Sequence, residues 1–113
     1  MVRTYRIPAL AFAATVALAA TTMAQPSGDA NKEYMAVMKD MNGKMEKAMA
    51  PDPTVSFAKQ MIAHHEGASQ MADVLLKHSQ NKDMRKMAEK MKKEQANEIK
   101  DLNSWLTKNA KGS

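Results

Sequence analysis

The segment FAKQMIAHHEGASQMADVLLKH, residues 57–78, decides the fold because its apolar residues recur at the spacing of an amphipathic helix. At about 100° per residue, one side of that helix collects apolar side chains: Phe57, Met61, Ala68, Ala72 and Leu75. The opposite side collects charged and amide side chains: Lys59, Glu66, Gln70, Asp73 and Lys77. His64 and His65 flank the middle of the apolar side. We therefore expect both imidazoles to point inward or to the rim of a helical core, and not to bulk water.

Turn-forming residues on either side of this segment divide the chain into three helices. The first turn, Pro51 to Pro53, supplies Asp52 as the N-cap of the second helix and Pro53 as its first residue. The second turn is SQNKD, residues 79–83. The predicted organisation is a flexible leader at 25–30, helices at about 31–50, 53–79 and 82–108, and a tail at 109–113. Connections this short predict antiparallel neighbours, so the expected fold class is all-α, an antiparallel three-helix up-down-up bundle.

The first 24 residues have the layout of a secretory signal peptide and are not expected to belong to the fold. Arg3 and Arg6 come before an apolar run at residues 7–20, and small residues precede a predicted cleavage after Ala24. A transmembrane anchor, the alternative, normally needs roughly 20 strongly apolar residues, whereas this run is shorter and rich in alanine. We expect a periplasmic or secreted domain with no stable membrane insertion after cleavage.

The exported remainder is one small domain with a marginal core. A chain of this size buries only about 60% of its extended surface. Because the sequence has no cysteine, no disulfide can stabilise it. A bound metal or a second copy of the chain would supply the missing stability, and a homodimer is therefore one of the expectations.

Composition and motifs disfavour several classes of function. The 17 Lys and Arg residues are interspersed with 12 Asp and Glu, and aromatic residues are only 4% of the chain, which makes a poor nucleic-acid surface. His64-His65-Glu66 is not the H-E-x-x-H motif of a zinc protease. Glu98 is the only clear inward carboxylate, whereas di-iron sites need several. We expect a binding protein and not an enzyme.

Methionine is the unusual feature of the composition, with 12 residues. Leucine is the usual core residue of helical bundles, because methionine is flexible and specifies packing poorly. In the first helix the methionines share an arc of roughly 120°: Met35, Met38, Met41, Met45 and Met49. A row of this kind is commonly core packing, but the excess of methionine over leucine makes a ligand role a comparable alternative.

Pairing the helices about their two turns brings histidines and methionines to one height of the bundle. His64 and His65 fall level with Gln95 and Glu98, and Met38 falls level with His65. The candidate metal ligands are Met61, His64, His65, Met71, Met38, Met41 and Met91. Gln95 and Glu98 are expected to orient an imidazole through its other nitrogen. Thioether and imidazole together suit Cu(I), imidazole also accommodates Cu(II), and Ag(I) mimics Cu(I).

Parts of this set also have a purely structural interpretation. Hydrogen bonds to the amide and carboxylate of the third helix would satisfy His64 and His65 inside an ordinary bundle. Met71 lies about 10 Å of helical rise from His64, too far for one mononuclear centre. Met71 with Met91 is therefore either a second, weaker site or part of the core.

Two stretches, FAKQMIAHHEGASQMA (57–72) and MRKMAEKMKKEQANEIKDLNSWL (84–106), resemble the family of small exported proteins known as domain of unknown function 305. The resemblance covers the second and third predicted helices. It implies a ferritin-like helical bundle, with copper-binding and copper-tolerance roles in some members. The signature residues of the family fall here on Met61, His64, His65, Met71, Gln95 and Glu98. Many relatives have proline where Ala63 stands, so the helix kink expected in them is not expected here.

Together these observations predict a periplasmic copper-binding protein that buffers or carries Cu(I), and also Cu(II), in copper homeostasis or tolerance. Its expected partners are copper ions, another periplasmic copper-handling protein and a second copy of the chain. The main alternative is a metal-independent periplasmic chaperone or adaptor whose Met-rich surface binds apolar segments. A set of amphipathic helices lying on a membrane surface is a third hypothesis.

Overall fold

The computed structural model describes residues 28–110, which form three α-helices and no strands. These are α1 (Gly28–Lys47), α2 (Pro53–His78) and α3 (Lys82–Asn109). The all-helical class is therefore as predicted. The predicted signal peptide at residues 1–24 lies outside the described residues. None of the three described helices has the length and apolar character needed to cross a bilayer.

The first helix begins and ends three residues earlier than predicted. Residues 28–30, assigned to a flexible leader, are helical, and Asp29 lies in the first turn, where the helix dipole favours a carboxylate. At the other end, Pro51 disfavours helical backbone at the residue before it. Beyond the end of α1, the N–H of Ala50 donates to the Ser56 hydroxyl at 3.2 Å.

Side-chain caps set the starts of the other two helices. The Asp52 carboxylate accepts hydrogen bonds from the N–H groups of Thr54 and Val55, at 2.9 and 2.8 Å, which confirms the predicted N-cap. Asn81 does the same for α3, accepting from Met84 N–H at 2.9 Å. The caps use donors that have no partner within the helix. The turns are therefore well defined by local chemistry.

Arg85 connects α3 to the end of α2. Its guanidinium donates to the carbonyl oxygens of Leu76 and Ser79, at 2.5 and 2.8 Å. These are carbonyls near the C-terminal end of α2, where a cation is favourable. The short connection between the two helices is thus held by a charged side chain.

The second helix is the middle helix of the bundle. It packs against both α1 and α3, whereas the backbones of α1 and α3 do not approach each other closely in residues 28–110. The core of this described region consists of small side chains only: Val55, Ala58, Ala63, Ala72, Val74 and Ala88. The large apolar side chains that remain exposed define what we call the open face: Met35, Met38, Met49, Phe57, Met84, Met87, Met91 and Trp105.

This arrangement corrects one expectation about α2. Its predicted apolar side is only partly covered by the neighbouring helices: Ala72 is buried, Met61, Ala68 and Leu75 are half-buried, and Phe57 is 61% exposed. The reason is that α1 and α3 approach α2 on its two flanks. His64 is consequently exposed, and of the expected inward or rim positions the inward one is wrong for it. His65, on the flank that faces α3, is partly buried as expected.

Candidate functional site

A cleft between α2 and α3 collects the residue types expected of a soft-metal site. Its volume is about 390 Å³. The lining residues are Phe57, Met61, His65, Glu98, Asp101, Leu102 and Trp105. Met61 and His65 are four residues apart, so their side chains lie one turn apart on the same side of α2. The cleft thus places a thioether and an imidazole from one helix opposite a carboxylate from the other.

His65 is held by one ring nitrogen and leaves the other without a partner. Its Nε2 lies 2.7 Å from Glu98 Oε2, and its side chain is only 15% exposed. When Nε2–H donates to the carboxylate, the lone pair resides on Nδ1. That Nδ1 is buried and has no hydrogen-bond partner among residues 28–110. A metal-binding histidine commonly has this arrangement, with a carboxylate on one nitrogen and the ion on the other.

Gln95 contributes a second buried acceptor on α3. Its Oε1 is buried and likewise accepts no hydrogen bond within the described region. An unsatisfied buried polar group costs roughly 1–3 kcal/mol. Two such acceptors, one on each of two packed helices, are the feature of this region that ordinary packing leaves unexplained.

The other predicted ligands from this level of the bundle lie elsewhere. His64 is exposed, with its ring centroid 5.8 Å from that of His65 in an edge-on arrangement. Met41 packs on Gly67: a Cβ added to this glycine would lie 2.5 Å from the methionine Sδ. Gly67 is on the α1 flank of α2, so Met41 is not brought to the cleft. Met38 is 41% exposed on the open face.

Met71 and Met91 are brought together in a second groove, further along the open face. This groove has a volume of about 300 Å³ and is almost entirely apolar. Its lining consists of Tyr34, Ala68, Met71, Ala72, Leu75, Met84, Met87, Ala88 and Met91. Met84 and Met87 were not among the predicted site residues. Met87 and Met91 follow Met84 by three and seven residues. This spacing is the sequence signal that places all three methionines on one side of α3.

The remaining histidine, His78, lies away from the cleft at the end of α2. Its Nε2 is 3.1 Å from Glu33 Oε1, and the Lys77 ammonium is 2.6 Å from the same oxygen. Hydrogen bonds from Lys77 and then His78 lower the pKa of the Glu33 carboxyl below its ordinary value. This cluster ties α1 to α2.

Nitrogen and oxygen donors alone do not make a metal site in residues 28–110. No group of three or more His, Asp or Glu side chains there is arranged to hold an ion. Methionine sulfur, a soft ligand of the kind that Cu(I) prefers, is not among these nitrogen and oxygen donors.

Comparison with known proteins extends the resemblance along the chain. No curated protein matches the sequence. The family described as Domain of unknown function (DUF305) matches residues 10–109, which include α1 as well as the two helices that carry the motif. The match begins within the predicted signal peptide. With all three helices covered, the chain belongs to the DUF305 family.

Proposed function

We propose that this protein binds copper outside the cytoplasm, as Cu(I) and also as Cu(II), and acts as a buffer or carrier and not as an enzyme. The observation that carries the proposal is the state of His65. One of its nitrogens is bonded to Glu98, the other is buried without a partner, and Met61 lines the same cleft. Copper ions and another periplasmic copper-handling protein are the proposed partners.

The donor set accounts for the choice of ion. Thioether sulfur is a soft ligand and imidazole a borderline one, a pair that suits Cu(I), with Ag(I) as its mimic. A thioether carries no proton, so Met61 needs no deprotonation before it binds. The Glu98 carboxylate makes the imidazole of His65 more basic and fixes its orientation. Gln95, with its buried acceptor, is the proposed second support of this site.

The proposal includes an exported chain whose helices run up, down and up in a ferritin-like bundle. The contact of Glu33 with Lys77 joins the start of α1 to the end of α2, which supports an antiparallel pair. The ion pair of Asp73 with Lys92 likewise joins the second half of α2 to the first half of α3. Export rests on the signal-peptide pattern at residues 1–24.

A Cu(I) competition titration against a coloured chelator tests the site. We expect the double variant Met61→Leu, His65→Ala to lose tight Cu(I) binding while its circular dichroism stays helical. The matched control is Met35→Leu, His78→Ala, which removes the same two groups elsewhere and should keep the parent affinity. Unchanged affinity in the first variant would refute the assignment of the site.

A second candidate function, a metal-independent chaperone or adaptor, is favoured by the open face. Methionine-rich apolar surfaces bind varied apolar partners because the side chain is flexible and polarisable. This function predicts that the protein, in the presence of a chelator, suppresses aggregation of an unfolded client. It also predicts that Cu(I) leaves the melting temperature unchanged. Copper binding predicts that Cu(I) raises it.

A further inference from the structure

The large apolar side chains left exposed in the described region lie on one side of the molecule. On α2, Phe57 lies opposite the polar side that carries Glu66 and Asp73. On α3, the methionines line one groove with α2, and Trp105 lines the cleft with Phe57. On α1, Met35 and Met38 lie roughly 140–160° around the helix from Glu33, which contacts the polar side of α2, and Met49 follows in the connection after α1. All three helices therefore contribute to a single surface.

The area of this open face is that of an interface. The exposed fractions run from 37% for Trp105 to 67% for Met35 and together amount to about four whole side chains. Taking the roughly 150–250 Å² of an aromatic side chain as the upper guide for each residue, the apolar area is at most on the order of 600–1,000 Å². The largest apolar patch of an ordinary monomer is about 300–600 Å². One side of a stable protein interface is about 800 Å².

The interior of the described region is correspondingly short of large apolar side chains. Its buried residues are alanine, valine and glycine, and no side chain of residues 28–110 is fully buried. Of the large apolar side chains, eight are exposed, and others, such as Leu75, Leu76 and Leu102, are only half-buried. The three helices thus have the side-chain distribution of one half of a larger core.

The charge distribution favours a second copy of the same surface as the partner that covers the open face. In the cleft and the groove, the only Asp, Glu, Lys or Arg side chains among the described residues are Glu98 and Asp101, both on α3 at one edge. The lysines that give the chain its positive net charge are absent from both linings. Two copies can therefore approach face to face without bringing a basic surface against another.

We propose that a second copy of this chain covers the open face, giving a two-fold symmetric dimer with a shared core of six helices. The proposal does not depend on copper. Symmetric dimers are the commonest oligomers, and their interfaces are self-complementary. Burial of the eight exposed side chains would supply the stabilisation that one copy lacks.

Symmetry makes a specific prediction about His64. This residue lies in the middle of the open side of α2 and close to the middle of Pro53–His78. If the two-fold axis runs parallel to α2, each residue of α2 faces a residue at the same height in the second copy. If the axis runs perpendicular to α2 through its middle, the second α2 runs in the opposite direction, and the middles of the two helices still face each other. In both cases, with the faces in full overlap, His64 of one copy lies opposite His64 of the other. Helices packed in this way are 8–10 Å apart, within reach of a short cross-linker.

Site-directed cross-linking tests the dimer, because the chain has no native cysteine. His64→Cys and the control Glu66→Cys, which lies on the polar side of the same helix, are expressed from the full-length sequence and purified with a metal chelator. A short bismaleimide should join two His64→Cys chains at micromolar concentration and leave Glu66→Cys monomeric. Adding Met87→Lys, which places a charge on the open face, should reduce the cross-linked yield at least tenfold.

Sedimentation of the unmodified protein completes the test. The proposal expects twice the mass of one chain in the presence of the chelator. A monomer at high micromolar concentration would overturn it. So would equal cross-linking of the two cysteine variants, since that would indicate random collision, or a dimer in which His64→Cys fails to cross-link, since that dimer uses another surface. Because no copper is present, each outcome is independent of the proposed copper site.

Discussion

At the scale of single residues, the contact between His65 and Glu98 is the most informative. A partner carboxylate on a metal-binding histidine typically contributes 10–100-fold to metal affinity. We therefore predict that Glu98→Gln, which keeps an acceptor for Nε2–H but removes the charge, weakens Cu(I) binding by about 10–100-fold. Asp101→Asn, in the same cleft, is the control and should have no effect. Equal affinity of Glu98→Gln and the parent would mean that the contact is structural only.

Glu33 gives a prediction for pH. Hydrogen bonds from Lys77 and His78 lower its pKa below the ordinary value of 4.5. A carboxyl group with a lowered folded-state pKa stabilises the protein fully above its unfolded-state pKa, and this stabilisation is lost as the pH falls through the folded-state value. The melting temperature of Glu33→Gln should therefore be below that of the parent at pH 7, and the difference should shrink below about pH 4.5.

The control for this experiment is Glu46→Gln, a neutralised carboxylate on the same helix. It should show little change in melting temperature at either pH. If the difference between Glu33→Gln and the parent were the same at pH 7 and pH 3, the link between this carboxylate and α2 would not be electrostatic.

At the scale of the helices, the crossing of α1 over α2 depends on Gly67. A Cβ at this position would lie 2.5, 2.6 and 2.8 Å from Sδ, Cγ and Cβ of Met41. Because the contact reaches the base of the methionine side chain, rotation of its end cannot relieve it. Overpacking of this kind costs about 1–3 kcal/mol, against a gain in helix propensity of about 1 kcal/mol or less. We predict that Gly67→Ala lowers the free energy of unfolding.

Gly43→Ala is the matched comparison, since nothing lies within 4 Å of its added Cβ. It should raise the free energy of unfolding by up to about 1 kcal/mol, because alanine is the better helix former. Denaturant titration of both variants measures these two opposite changes in the free energy of unfolding. In a Met41→Ala background the cost of Gly67→Ala should fall, because Sδ and Cγ are removed, but not vanish, because the Cβ of residue 41 stays 2.8 Å from the added Cβ. Stabilisation by Gly67→Ala in the parent would show that α1 is free to move.

At the scale of the whole molecule, the open face links stability to concentration. If a second copy completes the core, folding and association are coupled, and the melting temperature depends on protein concentration. A tenfold rise in concentration adds about 1.4 kcal/mol for each dimer, which corresponds to roughly 3–6 °C. Scanning calorimetry at three concentrations measures this directly. A constant melting temperature would indicate that one copy folds alone.

Much of this organisation was predictable from the sequence because it is local. Asp52 and Pro53 start α2 through backbone chemistry that involves only neighbouring residues, and the structure confirms them. Counting residues in both directions from the short turn between α2 and α3 predicted that His65 and Glu98 lie at a similar height. The two side chains are 2.7 Å apart. Helix length, turn position and relative height are all set by nearby residues and by the fixed rise of a helix.

The tertiary structure alone decided which sides of the helices are covered. Periodicity shows that Phe57, His64 and Leu75 share one side of α2, but it does not show whether another helix lies on it. Small residues on the flanks, such as Ala63 and Gly67, allow close approach there, and α1 packs on that flank in preference to the apolar side. His64 is exposed and His65 is held in the cleft for this reason. The sequence determined the helices and their chemistry, and only the packing of backbones against small residues determined which part of that chemistry faces solvent.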